Sequence, residues 1–348
     1  MRIEELVRTA AGLGASDIHI VAGLPPKMRR NGRIQAISAQ PLSREDCAGL
    51  ARELAGEAFE SVAEIGELDR GATIAGTRVR VNLFRQQGSF SAALRILSEK
   101  IPPLESLRLP PAALRFPEFR QGIVLVTGET GSGKSTTLAA ILQRINESRQ
   151  EHILTLEDPI EYVYTPAESI VNQRQIGTDT RSYADGLRAA LREDPDVLLI
   201  GEMRDFETIE TALTAAETGH LVFATLHTNS AVDAVDRIVG VFPEARQPQI
   251  RLQLSTTLRA VLSQQLLPEL RGQGRVLAAE LLMMNPALAN LIREGKTPQM
   301  YSFLLSGAKD GSVTMDNCLL ELLRSRRISS DTALAACFDR ESLRKRML

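Results

Sequence analysis

The sequence predicts an α/β protein of two domains, in which a mostly parallel sheet with helices on both faces follows a smaller α+β domain. In the second half, short apolar runs alternate with segments of helical spacing, a pattern typical of parallel sheets. In the first half, alternating runs joined by close turns indicate antiparallel hairpins. Between the halves, residues 101–120 hold five prolines.

The composition excludes some classes of protein. The chain has 348 residues, 43% of them hydrophobic, and a net charge of −2, so we do not expect a protein that coats nucleic acid. Three cysteines without close spacing predict reduced thiols. No apolar run approaches the roughly 18–20 residues that cross a bilayer, and the N-terminus lacks a signal-peptide pattern. We therefore expect a cytoplasmic protein that meets a membrane only through partners.

Residues 1–100 form the predicted α+β domain. The apolar residues between 3 and 10 recur at helical spacing and predict a first helix. Asn31-Gly32 lies between two extended runs, which favours a hairpin. Ser43 and Asp46 have the spacing of a capping box and predict the start of another helix. The remaining predicted elements are a strand within 16–23 and a second hairpin whose strands flank residues 86–89.

Residues 101–112 form a predicted proline-rich linker, because proline fixes φ and removes an amide donor. Residues 113–348 form the larger predicted domain. Its predicted strands are 122–127, 152–157, 197–202 and 220–227, with a helix over 135–146. Beyond Phe242 the chain is predicted to be largely helical, because apolar residues recur at every fourth position, at Ile250, Leu254, Leu258 and Leu262.

A glycine-rich loop, GETGSGKST, follows the strand 122–127 and opens the helix. Gly128, Gly133, Lys134 and Ser135 fit the phosphate-loop pattern, and a chance glycine-rich turn would not require this strand–loop–helix context. Backbone amides would surround the phosphates, Lys134 would reach the β- and γ-phosphates, and Ser135 would hold Mg²⁺. The predicted nucleotide-binding residues are Gly128, Thr130, Gly131, Ser132, Gly133, Lys134, Ser135 and Thr136.

Acids follow two of the predicted strands. Strand 197–202 ends at Glu202, which could reach Mg²⁺ through water from the edge where parallel strands converge on a ligand. An Asp is usual at the end of such a strand, but position 201 is Gly. Glu161, which follows strand 152–157, could polarise an attacking water. The alternative interpretations are a solvated loop acid for Glu202 and an acidic surface turn around Glu161.

Two histidines bracket the apolar run LVFATL of the predicted strand 220–227. His227 follows this run at the edge expected to face the phosphates, where it could sense them. His220 precedes the run, so the two histidines cannot share a metal without a bend. A purely structural role remains the alternative for each.

The motifs resemble, in order and spacing, those of the PilT-type type IV pilus retraction (twitching motility) ATPases of the secretion ATPase superfamily. GASDIHIVAGLPPKMRRNGRI resembles that family's N-terminal opening, and GETGSGKSTTLAAIL its Walker A motif. HILTLEDPIEYV resembles its Asp box, LREDPDVLLIGEMRDFETI its Walker B motif, and TAAETGHLVFATLHTN its His box. The resemblance covers nearly the whole chain.

This resemblance implies a PAS-like N-terminal domain joined to a RecA-like P-loop ATPase domain. It also implies a homohexamer that hydrolyses ATP with Mg²⁺ at the inner face of the cytoplasmic membrane, on an inner-membrane platform protein of the pilus machine. By motif position, Arg80 and Arg95 would lie over the nucleotide, where the γ-phosphate needs cations. Solvated strand arginines are the alternative, and the neighbouring Arg78 and Arg85 remain candidates.

Two positions depart from the family pattern. Glu129 stands in the phosphate loop where the family more often has Pro, and Ala289 stands where the family's AIRNLIRE segment has its first Arg. The second departure concerns motion more than chemistry. Three other functions stay open as alternatives to a retraction motor. They are a secretion or conjugation motor, an accessory retraction motor, and a regulator that senses nucleotide without hydrolysing it.

Overall fold

The computed structural model describes residues 2–30, 32–97, 100–270, 272 and 274–347, without the side chains of 306–308. The chain forms two compact units. The N-terminal unit comprises Met1–Ile101 together with Asp158–Val163, and the C-terminal unit comprises Pro102–Glu157 and Tyr164–Leu348. Among the described residues, no helix is both long and apolar enough to cross a membrane.

The N-terminal unit contains one antiparallel sheet of six strands in the order β3-β2-β1-β6-β5-β4. Asn31, predicted in the first hairpin turn, lies outside the described residues, but β2 and β3 pair antiparallel as that hairpin requires. The elements are α1 Ile3–Gly12, β1 Asp17–Ile20, β2 Lys27–Arg30, β3 Arg33–Ala36, α2 Arg44–Ala55, a 3₁₀ turn Gly56–Ala58, α3 Phe59–Ile65, β4 Glu67–Ile74, β5 Thr77–Gln86 and β6 Ser89–Ile96.

The core of this unit lies on one face of the sheet. Along β5, Val79, Val81 and Leu83 are fully or almost fully buried. Arg78 and Arg80 alternate with them and are half-buried. Successive strand residues face opposite sides, so these arginines belong to the face away from the core. The capping box predicted at the start of α2 is confirmed.

The C-terminal unit contains a seven-stranded sheet in the order β13-β12-β7-β11-β10-β8-β9. All neighbours pair parallel except β12 with β13, so the predicted α/β class with a mostly parallel sheet is confirmed. The strands are β7 Gly122–Thr127, β8 His152–Glu157, β9 Ile170–Gln175, β10 Val197–Ile200, β11 Leu221–Leu226, β12 Leu258–Pro268 and β13 Arg275–Met283.

Helices cover both sides of this sheet and continue to the C-terminal end. The α-helices are α4 Lys134–Ser148, α5 Tyr183–Ala190, α6 Phe206–Glu217, α7 Ala231–Gly240, α8 Gln247–Thr257, α9 Pro286–Arg293, α10 Met300–Ser306, α11 Met315–Arg324, α12 Ser330–Ala336 and α13 Arg340–Met347. The 3₁₀ segments are Leu104–Leu107, Pro111–Glu118, Glu244–Arg246, Thr297–Gln299 and Gly307–Asp310. The predicted linker therefore contains 3₁₀ turns.

The prediction of continuous helix through Leu258 and Leu262 was wrong. Helix α8 ends at Thr257, and both leucines lie in β12, which pairs with β7 and β13. A spacing of four fits the helix repeat of 3.6 and is also a multiple of the strand repeat of two. Apolar residues at every fourth position could therefore not tell the helix from a buried strand.

One buried carboxylate, that of Glu280, accepts hydrogen bonds from the first residues of two helices in the C-terminal unit. Glu280 on β13 accepts hydrogen bonds from the backbone N–H groups of Ala231 at 2.8 Å and Met315 at 3.3 Å, the first residues of α7 and α11. Burial raises the pKa of Glu280, and the two N–H groups oppose that rise. One side chain therefore satisfies donors at two helix N-termini.

Candidate nucleotide-binding site

Four neighbouring parallel strands bring the predicted site residues of the C-terminal unit to one edge of its sheet. Strands β7, β11, β10 and β8 lie side by side, with Leu226 of β11 level with Thr127 of β7. Their C-terminal ends therefore point the same way. The glycine-rich loop follows β7, His227 follows β11, and Glu202 lies two residues beyond β10.

The loop requires glycine at its start. Gly128 has φ +138°, and a Cβ there would collide with the backbone oxygen of Gln264 and lie 2.6 Å from Ser132 Oγ. Gly133, with φ +96°, is the N-cap of α4. Both positions are left-handed conformations that favour glycine. The backbone can thus curl back over the start of α4 and leave space that a side chain would fill.

Lys134 lies beneath this loop. Its Nζ donates hydrogen bonds to the backbone oxygens of Gly128 at 2.7 Å and Glu129 at 3.0 Å, and the side chain is buried. A buried ammonium is costly unless it is paired or hydrogen-bonded. The loop carbonyls therefore hold a positive charge inside the cradle, where an anion would meet it.

Two buried hydroxyl groups and one exposed hydroxyl group lie in and beside the loop. Ser132 Oγ and Thr127 Oγ1 are buried, and neither has a hydrogen-bond partner among the described residues. Ser135 is exposed on the first turn of α4, where a helix presents unsatisfied N–H groups and a partial positive charge. Unsatisfied hydroxyl groups and a helix N-terminus together form the environment of a bound phosphate.

Glu202 is held in an ionised state by two neighbours. Arg204 Nε lies 2.6 Å and His227 Nε2 lies 3.3 Å from Glu202 Oε1. Burial is the largest single influence and raises the pKa of Glu202, but the hydrogen bond and charge of Arg204 and the contact with His227 outweigh it and lower the pKa overall. Glu202 therefore remains a carboxylate at neutral pH, as a metal ligand requires.

The structure explains why position 201 is glycine. A Cβ at Gly201 would lie 2.9 Å from Tyr183 Oη and 3.1 Å from the backbone oxygen of Leu156. The Gly201 N–H also donates to that oxygen at 2.8 Å, and its carbonyl accepts from Thr225 Oγ1. A side chain at this position would require Tyr183 Oη to shift and would crowd the backbone oxygen of Leu156, which favours glycine here.

The acidic segment after β8 belongs to the N-terminal unit. Glu157 stays with its own sheet, where Thr155 Oγ1 and Gln173 Nε2 donate to its carboxylate at 2.7 and 3.2 Å. Beyond it, Ile160 O accepts two hydrogen bonds from Arg78, at 3.0 and 2.8 Å. Glu161 follows in this segment, so it lies in the same unit as the predicted arginines.

Both predicted arginines form ion pairs within the N-terminal unit. Arg80 pairs with Asp69 at 2.5 Å, and Arg95 pairs with Asp17 at 3.4 Å. The hydrogen bond that Arg80 donates to Asp69 is the main cause that raises the pKa of Arg80, and the charges of Asp69, Glu161 and Asp158 add to it. Sequence reasoning missed Asp69 and Asp17, because no motif marks them.

The imidazole ring of His220 contacts the end of helix α6. Its Nδ1 donates to the backbone oxygen of Ala215 at 2.9 Å and lies 3.2 Å from Thr218 Oγ1. These partners end α6, so His220 fastens the turn between α6 and β11. No group of three or more His, Cys, Asp or Glu residues that could hold a metal ion occurs within the part of the chain that the structure describes.

The sequence also matches a known family. The profile of the type II/IV secretion system protein family matches residues 79–301, which span the arginine-bearing strands, the phosphate loop and the strands that follow. The chain belongs to this family. The family name covers both type II and type IV secretion systems, so membership alone does not say which system this chain serves.

Three relatives place the chain within the family. It is 45% identical over 335 residues to a Pseudomonas aeruginosa protein named "Type IV pilus retractation ATPase PilT", covering 96% of this chain and 97% of that protein. It is 43% identical to the Neisseria gonorrhoeae "Twitching motility protein", and the match covers 98% of this chain and 92% of that protein. A crystal structure titled for the pilus retraction motor PilT and bound ADP superposes with a TM-score of 0.93 at 48% identity and 99% coverage of both chains.

Proposed function

We propose that this chain is an ATP-hydrolysing motor that powers type IV pilus retraction and thereby twitching motility. The observation that carries the proposal is a complete phosphate cradle within a chain that matches a retraction ATPase over 96% of its length. The relative of known structure was determined with ADP, which supports nucleotide binding at the same fold.

In this proposal, loop amides and Lys134 bind the phosphates of ATP. The nucleotide-binding residues would be those of 128–136 predicted from the sequence. A bound Mg²⁺ would neutralise charge on the β- and γ-phosphates. Ser135 would hold it directly and Glu202 through water, because Mg²⁺ keeps several waters and prefers oxygen ligands.

The acids and His227 would complete the hydrolytic site. Glu161 would orient the attacking water, and its segment is anchored by the hydrogen bonds from Arg78 to Ile160 O. His227 Nε2 lies 3.3 Å from Glu202 Oε1, so a shift of either side chain on loss of the γ-phosphate would move the other. His227 would thus report whether the terminal phosphate is present.

Arg80 and Arg95 would supply positive charge to the γ-phosphate. These residues are directly opposite each other on β5 and β6, so the sheet brings two arginines to one place. Each is paired with a carboxylate, Arg80 with Asp69 and Arg95 with Asp17, and a γ-phosphate would be an alternative anionic partner for both. This arrangement supports a role for both arginines with phosphate.

Replacing Arg95 with Ala should reduce ATP turnover far more than the few-fold change that it makes in ATP binding. Its guanidinium would act mainly on charge that develops in the transition state, and the loss of such a cation costs about 10³-fold in related phosphoryl transfer reactions. Steady-state hydrolysis and nucleotide titration would measure both effects. Arg33→Ala, which removes an exposed arginine of β3, is the matched control, and full turnover by Arg95→Ala would contradict this role.

We further propose that the motor is a homohexamer that acts on an inner-membrane platform protein of the pilus machine. The family resemblance motivates this assembly, and a location at the inner face of the cytoplasmic membrane follows from that partner. ATP hydrolysis would then change the arrangement of subunits and return pilins to the membrane. No nucleic acid is needed in this scheme.

Deleting the gene tests the function directly. Cells with fluorescently labelled pili should still extend pili but should lose most shortening events, and the intact gene supplied in trans should restore them. Normal retraction would favour a secretion or conjugation motor or an accessory retraction motor. A purified protein that binds ATP without Mg²⁺-dependent turnover would instead favour the nucleotide-sensing regulator.

A further inference from the structure

A row of charged residues crosses the face of the N-terminal sheet opposite its core. We define this charged row as the five residues that lie on β2, β1, β6, β5 and β4 in that order: Arg29, Asp17, Arg95, Arg80 and Asp69. The register places Arg29, Asp17, Arg95 and Arg80 directly opposite one another in turn. Asp69 is opposite Asn82, two residues from Arg80 on the same face.

The two arginines at the centre of the charged row are paired with acids on opposite sides. Arg80 forms a two-pronged contact with Asp69, in which Nε and Nη2 lie 3.1 and 2.5 Å from its carboxylate oxygens. Arg95 approaches Asp17 at 3.4 Å. Since β4 and β1 flank the β5–β6 pair, the guanidinium groups are directed away from each other.

The environment of Arg80 favours this contact. Gly71 lies directly opposite Arg80 on β4 and has no side chain, so the arginine can cross to Asp69. Arg80 and Asp69 are 39% and 40% exposed. An exposed ion pair of this kind contributes little to the free energy of unfolding. The Arg80–Asp69 ion pair therefore adds little to the stability of the fold. A role in positioning Arg80 explains the pair better.

We propose that Asp69 and Asp17 are positioning residues that keep Arg80 and Arg95 apart until a triphosphate is bound. The γ-phosphate would have to replace a carboxylate at each arginine to engage it. This inference rests on the proposed role of the arginines in ATP hydrolysis. The two-pronged contact makes Asp69 the stronger restraint, since bidentate arginine–carboxylate pairs are the tighter ones.

The restraint discriminates between nucleotides. ADP lacks the γ-phosphate and gains nothing from free arginines, so its affinity is independent of Asp69. ATP must compete with the carboxylate, so its affinity is reduced by the strength of the ion pair. An exposed pair of this strength corresponds to about a two- to five-fold change in the dissociation constant.

Isothermal titration of the full chain tests this proposal with ADP and with a non-hydrolysable ATP analogue, both with Mg²⁺. Asp69→Asn should bind the analogue about two- to five-fold more tightly and ADP with unchanged affinity. The same substitution in an Arg80→Ala background should change neither affinity. Glu67→Gln, an exposed acid two residues earlier on the same strand and face, is the matched control and should leave both affinities unchanged.

Three results would overturn the proposal: unchanged or weaker analogue binding by Asp69→Asn, an equal gain for ADP, or the same gain without Arg80. Asp69→Ser repeats the measurement with a smaller uncharged side chain, and thermal unfolding confirms that each variant is folded. A wild-type protein that binds both nucleotides but does not hydrolyse ATP would contradict the motor function and still allow the restraint to be measured.

Discussion

Replacing Lys134 with Ala should weaken ATP binding by about a hundred-fold or more, equivalent to about 3 kcal/mol. The Lys134 ammonium is already held inside the phosphate loop by the carbonyls of Gly128 and Glu129. Phosphate oxygens would accept charge-assisted hydrogen bonds from this group, and alanine offers no replacement. Titration with ATP and with ADP would measure the loss.

The controls for Lys134→Ala must distinguish the loss of a phosphate contact from a loss of the loop's structure. Lys134→Arg keeps the charge but not the compact ammonium, so it should also bind weakly because the guanidinium does not fit the same space. Gln143→Ala, at a half-buried position two turns further along α4 where the side chain donates to Glu147, should bind normally. If Lys134→Ala binds ATP like the unchanged protein while its melting temperature is preserved, the glycine-rich loop is not the phosphate site.

Replacing Glu202 with Gln should preserve ATP binding within a few-fold and reduce turnover by about a hundred-fold or more. Glutamine has nearly the same shape but cannot supply the negative charge that supports a metal ion. The lowered pKa of Glu202 means that the unchanged protein holds this charge at neutral pH. Single-turnover hydrolysis together with nucleotide titration would separate binding from chemistry.

Glu207→Gln is the matched control for this substitution. Glu207 lies in the first turn of α6, on the same connection after β10, and its side chain is 52% exposed. Its turnover should remain normal. If Glu202→Gln hydrolyses ATP at the normal rate, the carboxylate beside His227 has no essential part in catalysis.

The sequence predicted the strands and the strand–loop–helix arrangement around residues 122–148 well, because their signals are local. Strands β7 and β8 occupy the predicted ranges 122–127 and 152–157, and the glycines, the lysine and the helix start lie within nine residues of one another. Each of these features depends on backbone conformation or charge near in sequence. Local chemistry of this kind can be recognised without knowing the fold.

Features that depend on strand register could not be predicted in the same way. The partners Asp69 and Asp17 of the arginines lie 11 and 78 residues from them in sequence, and they meet only because of the sheet order β1-β6-β5-β4. The crowding that favours glycine at position 201 likewise comes from Tyr183 and from β8. The error over β12 arose because its apolar spacing fits two kinds of element.

The division of the chain also has a practical consequence for how the protein can be cut. The polypeptide passes between the two units at three junctions, after Ile101, after Glu157 and after Val163. A fragment that starts at Pro102 would retain Asp158–Val163 but lose the sheet with which that hexapeptide associates, including the arginine that grips Ile160 O. Such a truncation would leave residues 158–163 without the sheet that they pack against. The two units therefore cannot be separated by a single cut in the chain.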